Sequence, residues 1–218
     1  MPMPSIYQLK PAFQNLLRPF VRRLYQHGIT ANQVTLFAMF ISLLLAGWLG
    51  FIFSKPTLAN TFYFLLIPIW MLIRMAFNAI DGMLAREFKQ QSQLGAYLNE
   101  LCDVISDTAL YLCFIVLSGI SAPLLLCVVF LAILSEYAGV MAPVIGQERR
   151  YDGPMGKSDR AFWFSVLAVF YTLSQYFSEH LTFKLQQLMS NGLLAVIALL
   201  LMITIYNRIR HAIQKTSN

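Results

Sequence analysis

Residues 34 to 53 run for twenty positions without a charged side chain. About twenty apolar residues in helical conformation cross the ~30 Å hydrocarbon layer of a bilayer. Backbone polar groups must be satisfied internally there, which leaves helices or closed barrels. The rest of the chain has the same texture: only 12% of its residues are charged, about half the share in a soluble domain. The sequence therefore predicts an all-α, polytopic membrane protein. The net charge of +6 is no sign of nucleic-acid binding; in such a chain Lys and Arg set orientation and favour anionic lipid. Cys102, Cys113 and Cys127 lie in apolar segments and have neither metal-site spacing nor a disulfide framework. The first thirty residues lack the compact apolar core and cleavage site of a signal peptide.

Two parts are expected: an amphipathic juxtamembrane helix within residues 1–30, and a six-helix transmembrane domain over 31–218. In the first, Leu9, Phe13, Leu16, Leu17, Phe20, Val21 and Leu24 recur at helical spacing, with Lys10, Arg18, Arg22 and Arg23 between them. That pattern suits a helix lying in the membrane interface. Spans are expected near 34–54, 60–88, 94–118, 122–143, 159–178 and 188–207, with Thr30 or Asn32 capping the first and Pro68 kinking the second. Lys55-Pro56, Gly119 and Glu179-His180 mark connections on one side. Thirteen of the sixteen Lys and Arg fall on the other side, in the N-terminal helix, the 86–93 turn, the 146–160 loop and the tail through Lys215. The positive-inside rule then puts both termini in the cytoplasm.

Against this background residues 78–107, NAIDGMLAREFKQQSQLGAYLNELCDVISD, stand out. Charges within membrane spans are costly, so Asp81, Glu100, Asp103, Asp107 and Glu136 are functional candidates by default. Asn78, Asp81, Gly82 and Ala85 share one helical face, and Gly95, Asn99, Asp103 and Asp107 form a stripe on the next helix. A short turn makes the two helices antiparallel neighbours. Clustered carboxylates resist ionising together, and a hard divalent cation resolves this, sitting between a few carboxylates and substrate phosphates. The pattern points to a metal-dependent phosphoryl or pyrophosphoryl site at the cytoplasmic ends of spans two and three. Glu136 is expected to pair with Arg74. His180 and His211 carry no chemistry in this reading, and Trp48, Trp70 and Trp163 face lipid or core.

At these residues the chain resembles the CDP-alcohol phosphotransferase family, whose signature reads D-x2-D-G-x2-A-R-x8-G-x3-D-x3-D. Asp81-Gly82, Ala85-Arg86, Gly95 and Asp103 match it with unbroken spacing, while Asn78 and Asn99 stand where the family has its first and third aspartates. NAIDGMLARE, with GKSDRA later, is closest to a branch of bacterial inner-membrane members. The resemblance implies transfer of a phosphatidyl group from a CDP-diacylglycerol-type lipid to an alcohol, with release of CMP. It implies that Asp103 is the general base and that Asp81, Asn78, Asn99 and Asp103 surround Mg2+ or Mn2+; Asp107, outside the signature but one turn beyond Asp103 on the same stripe, is a candidate further ligand. Asn78, Asp81, Gly82, Ala85, Arg86 and Gly95 would hold the nucleotide, and Arg86 would contact phosphate or fix a carboxylate. Family aspartates hold a pair of ions; two Asp-to-Asn changes lower the formal charge from −4 to −2, so affinity for a second ion falls. A register slip that makes Asp103 and Asp107 the last two motif aspartates breaks the Gly95 spacing.

A second polar cluster, GPMGKSDRA, brings Lys157, Ser158 and Arg160 to the mouth of span five. These suit an acceptor that carries phosphate, and they equally serve topology; Arg149 and Arg150 are weaker candidates. The expected partners are the CDP-lipid, an alcohol, surrounding lipid and, as in many family members, a second copy of the chain. Nucleic acid is not expected. Two rival readings stay open: a non-catalytic member that binds the nucleotide, and a small ion or proton transporter. A transporter's polar site lies near the bilayer midplane, whereas here the polar residues gather toward one end.

Overall fold

The computed structural model describes residues 9–55, 57–176 and 183–214, with side chains from Phe13 onward except those of Gln175 and Tyr176. Pro56, Glu179, His180, Lys215 and the side chains of Leu9 and Lys10 lie outside the described residues. Seven α-helices follow in order: α1 (Leu9–Gln26), α2 (Ala31–Phe53), α3 (Leu66–Glu87), α4 (Gln93–Leu112), α5 (Ala122–Val140), α6 (Lys157–Tyr176) and α7 (Phe183–Gln214). Short 3-10 turns at Thr61–Leu65, Cys113–Val116 and Ala142–Ile145 extend three of them. Among the described residues there is no strand. Four helical stretches are long and apolar enough to cross a membrane: 31–53, 61–87, 122–145 and 183–214. The remaining 20-residue helices are α4, which carries Glu100, Asp103 and Asp107, and α6, which starts with Lys157, Asp159 and Arg160.

Helix ends follow local chemistry. Thr30 caps α2 in a reciprocal box: its hydroxyl accepts from the Gln33 N–H at 3.3 Å, and the Gln33 side chain accepts from the Thr30 N–H at 2.9 Å. Asn32 is not the cap. The expected kink at Pro68 is also corrected. Pro68 falls in the first turn of α3, where no N–H partner is lost, and the break in the helix comes earlier, where the 3-10 turn ends at Leu65. At its other end α3 stops with Lys89 in the left-handed conformation (φ 56°) and the Gln90 N–H bonded back to Ala85 O at 3.0 Å. This is a Schellman-type closure.

The chain forms two compact units, residues 1–42 with 72–106, and residues 43–71 with 107–218. In the first, Val21, Ala31, Val34, Ile80, Met83 and Leu84 make a core, joined by Leu17, Leu24 and Phe88. α1 thus packs with one stripe, while Phe13, Leu16 and Phe20 point outward and Leu16 is 75% exposed. The Gln90 side chain accepts from the Ala31 N–H at 2.7 Å. Gly95 packs so close to the start of α2 that a Cβ would stand 2.8 Å from Asn32 Oδ1. In the second unit α5 lies along α7, and α6 packs on the 3-10 turn before α3. An aromatic series forms its interior: Phe53, Phe64, Phe114 and Phe164 meet in turn at 5.1–5.3 Å, and Tyr111 stacks on Phe164 at 4.0 Å.

Candidate active site

Each motif face lies on a continuous helix, α3 for Asn78 to Arg86 and α4 for Gly95 to Asp107. In the first unit an ion pair joins the two faces. Arg74, buried on α3, reaches Asp103 Oδ1 on α4 at 3.3 Å. Arg74 precedes Asn78 by four residues and Asp81 by seven, so it shares their face. The pair also sets a register. Antiparallel helices rise equally per residue, so four residues along each from Arg74 and Asp103 bring Asn78 level with Asn99. Four more bring Gly82 level with Gly95.

Asp81 is buried and accepts the Thr35 hydroxyl from α2 at 2.8 Å. Asn78, Gly82, Ala85, Gly95, Asn99, Glu100 and Asp103 are half-buried, and Arg86 is exposed. The Arg86 guanidinium lies over Gly82, where a Cβ would stand 3.0 Å from its Nη2. The space that Gly82 leaves is therefore covered by the tip of a flexible side chain. Gly95 serves the packing of α4 on α2, as described above.

The donor set bears on the metal. Among the described residues no group of three or more His, Cys, Asp or Glu is gathered as a metal cluster. Asp81 and Asp103 are the two carboxylates at the signature positions, and Asp103 already holds a guanidinium. These residues suit one divalent cation, with Asn carbonyl oxygens as neutral donors. They do not suit a close pair of cations.

The second unit has its own polar cluster, built around carboxylates of α4 and α5. Arg160, 1% exposed, reaches Glu136 Oε1 at 3.0 Å, Asp107 Oδ2 at 3.3 Å and the Ser135 hydroxyl at 3.3 Å. Arg208 of α7, also buried, pairs with Glu136 at 3.4 Å and donates to the carbonyls of Ser135 and Asp152. Arg149 reaches Glu136 Oε2 at 3.2 Å. Glu136 is therefore matched by Arg160, Arg208 and Arg149, and the expected pairing with Arg74 is corrected. Arg150 forks onto Asp152 at 2.7 and 3.1 Å, and His211 stands 3.4 Å from the same carboxylate. Burial pushes the Asp152 carboxyl up, but the hydrogen bond and charge of Arg150 outweigh it and hold Asp152 below its ordinary range. Gly139 lets this loop lie on α5: a Cβ there would fall 2.5 Å from the Arg150 carbonyl oxygen. Lys157 is half-buried and Ser158 exposed at the start of α6. The Arg160 Nε has no hydrogen-bond partner among the described residues.

Sequence reasoning passed over Thr35 and Arg208. Thr35 follows Asn32 in the first turns of α2, and only its partner distinguishes it from any helical threonine. Arg208 was counted as a topology charge of the tail; its place four residues after Thr204 on a buried stripe of α7 was the available signal.

The family model for CDP-alcohol phosphatidyltransferase matches residues 28–209. The chain is 51% identical over 162 residues to the inner membrane protein YnbA of Escherichia coli (strain K12), covering 74% of this chain and 78% of that one. An uncharacterized protein of Aquifex aeolicus (strain VF5) is 31% identical over 100 residues, 46% of each chain. Among solved structures, the phosphatidylinositol phosphate synthase PgsA1 of Mycobacterium tuberculosis with CDP-DAG bound superposes with a TM-score of 0.64 at 20% identity, covering 89% of this chain and 92% of that one. The same enzyme in complex with manganese and citrate gives 0.65 at 21% identity, with coverages of 89% and 87%. At such identities the likeness speaks for the fold. The family match spans both motif helices and the arginine cluster alike, and the chain belongs to the CDP-alcohol phosphatidyltransferase family.

Proposed function

We propose that the protein is a membrane transferase that moves a phosphatidyl group from a CDP-linked lipid such as CDP-diacylglycerol to an alcohol and releases CMP. The observation that carries this is the unbroken D-G-x2-A-R-x8-G-x3-N-x3-D spacing, laid on two helices that the Arg74–Asp103 pair ties together. The solved relative crystallised with CDP-DAG supports the lipid donor.

In this reading Asn78, Asp81, Gly82, Ala85, Arg86 and Gly95 hold the nucleotide and its pyrophosphate. Arg86 swings off Gly82 to meet a phosphate oxygen, since a guanidinium suits that geometry. A divalent cation, Mg2+ or Mn2+, held by Asp81 with Asn78, Asn99 and Asp103 near it, offsets the pyrophosphate charge. Asp103 accepts the proton of the acceptor hydroxyl; with Oδ1 held by Arg74, the proton goes to Oδ2. The acceptor oxygen bonds to the lipid-linked phosphorus as the bond to the CMP oxygen breaks. Asp107 is better read as the carboxylate that orients Arg160 than as a ligand. Lys157, Ser158 and Arg160 then form the acceptor side, with the Arg160 Nε as the donor left over.

The fold reading belongs to the same proposal. Six helices span a bacterial inner membrane, α4 and α6 tolerating charge because they face protein. α1 lies in the interface with Phe13, Leu16 and Phe20 toward lipid, and both termini are cytoplasmic. The test is CMP release from CDP-diacylglycerol by the purified protein with Mg2+ or Mn2+ and a panel of alcohols. Asp103→Asn is expected to lower the rate by roughly 10²–10⁴-fold, the usual worth of a general base. CDP binding without CMP release under any acceptor would favour the non-catalytic reading.

A further inference from the structure

Between Arg74–Asp103 and Gly82–Gly95, the motif stripes of α3 and α4 in the first unit hold two carboxylates, two amides and one guanidinium, with Glu100 off the stripe about 100° around α4 from Asn99. Asp81 and Asp103 contribute minus two, and Arg74 brings these faces to a formal charge of minus one. One divalent cation takes them to plus one, which suits a doubly charged pyrophosphate. Two cations would take them to plus three, with two carboxylates to separate the ions. Two cations a few ångströms apart repel strongly, so holding them takes more anionic charge than two carboxylates supply, and an amide contributes none. The position of Arg74 gives the second observation. It is buried, on the same face as Asn78 and Asp81, and its guanidinium lies on Asp103, the carboxylate that would otherwise be open to a second ion.

We infer that the Arg74 guanidinium stands in for the second divalent cation, so that the site works with one metal ion at Asp81 and a fixed positive side chain at Asp103. The inference rests on the transferase reading for its ligand, and it deepens that reading. A guanidinium can face phosphate oxygens with parallel N–H donors while another of its nitrogens keeps Asp103. Arginine takes such a charge-stabilising place in phosphoryl transfer elsewhere. The exchange also explains why the two amides accompany the arginine: a permanent cation in the site removes the need for carboxylates to hold a removable one.

The experiment counts metal ions rather than turnover. The full-length protein in nanodiscs is titrated with Mn2+ in the presence of CDP, with bound ion read from loss of the free Mn2+ paramagnetic signal and CDP affinity read by calorimetry. The wild type is expected to hold about one Mn2+ per chain, and Asp81→Asn to lose it. The decisive variant is Asn78→Asp/Asn99→Asp, which restores all four carboxylates but keeps Arg74; its count is expected to stay at about one. Adding Arg74→Gln to it is expected to raise the count to about two. Arg74→Gln alone should weaken CDP binding roughly tenfold, and Arg74→Lys should recover part of that loss. Two ions in the wild type, or two in the double variant with Arg74 present, would overturn the inference while leaving the transferase reading intact. If the triple variant does not fold, the double variant still decides. Failure of the wild type to bind CDP at any Mn2+ concentration would remove the transferase reading, and this inference with it.

Discussion

The two polar clusters are built on opposite plans. In the first unit the motif faces carry few charges, half-exposed amides and the Arg74–Asp103 ion pair across the helices. In the second, Arg160 and Arg208 are 1% and 2% exposed and share Glu136, whose other oxygen takes Arg149. Asp103 and Asp107, one turn apart on α4, show the contrast best. The Asp103 side chain keeps 21% exposure against Arg74, whereas Asp107 keeps 9% against Arg160. A buried, mutually satisfied network specifies a structure, and removal of one member leaves the others as uncompensated charges. A half-exposed face with neutral donors leaves coordination for something that arrives later. Charge density therefore does not rank the two as sites; the sparser face is the better candidate for chemistry.

If that contrast is right, substitutions should separate stability from binding. The largest effect is expected from Arg160→Leu, which strands Asp107 and part of Glu136. Breaking a buried pair costs about 3–5 kcal/mol, so the purified protein should lose much of its thermal resistance, even before ligand is added. A variant with unchanged melting would mean that the second cluster is not a structural frame. Next comes Thr35→Val, which removes the hydroxyl that Asp81 accepts at 2.8 Å. A hydrogen bond to a charged group is worth about 1.5–3 kcal/mol, and the loss should show as weaker CDP and Mn2+ binding with little change in melting. A change in melting alone would place Thr35 with the packing instead.

The smallest effect concerns pH. Asp152 titrates below its ordinary value because of Arg150. Its contribution to stability is therefore present above the unfolded carboxylate pKa of about 3.9 and fades as pH falls through the lower folded value. Asp152→Asn should remove that contribution, so the variant melts slightly below the wild type at neutral pH and the gap closes as pH falls through that window. A gap that failed to narrow on acidification would point to a role for Asp152 other than its pairing with Arg150.

Much of this organisation was legible in the sequence. Apolar runs and turn residues placed the helices within a few positions, because period and length are local properties; α7 alone runs well past its expected bounds, from Phe183 to Gln214. The motif spacing placed the polar faces for the same reason. Partners were harder. Glu136 was matched with Arg74 because both are charges inside spans, and a sequence carries no distance between spans. Counting back along antiparallel helices from the turn would have put Arg74 level with Asp103. Pro68 was read as a kink because the sequence does not show that a 3-10 turn precedes it. Thr35 could not be seen at all, since its hydroxyl has meaning only beside Asp81.

The clasp at the start of α2 has a consequence in time. Gln90 holds the Ala31 N–H, and Gly95 admits Asn32. The first unit is complete once residue 106 has been made, with 112 residues of the chain still to come. At about 5–20 residues per second, the helices of the first unit have several seconds to settle before α7 leaves the ribosome. A substitution in the clasp would therefore be felt during insertion, as slower settling of the first unit, more than in the finished protein.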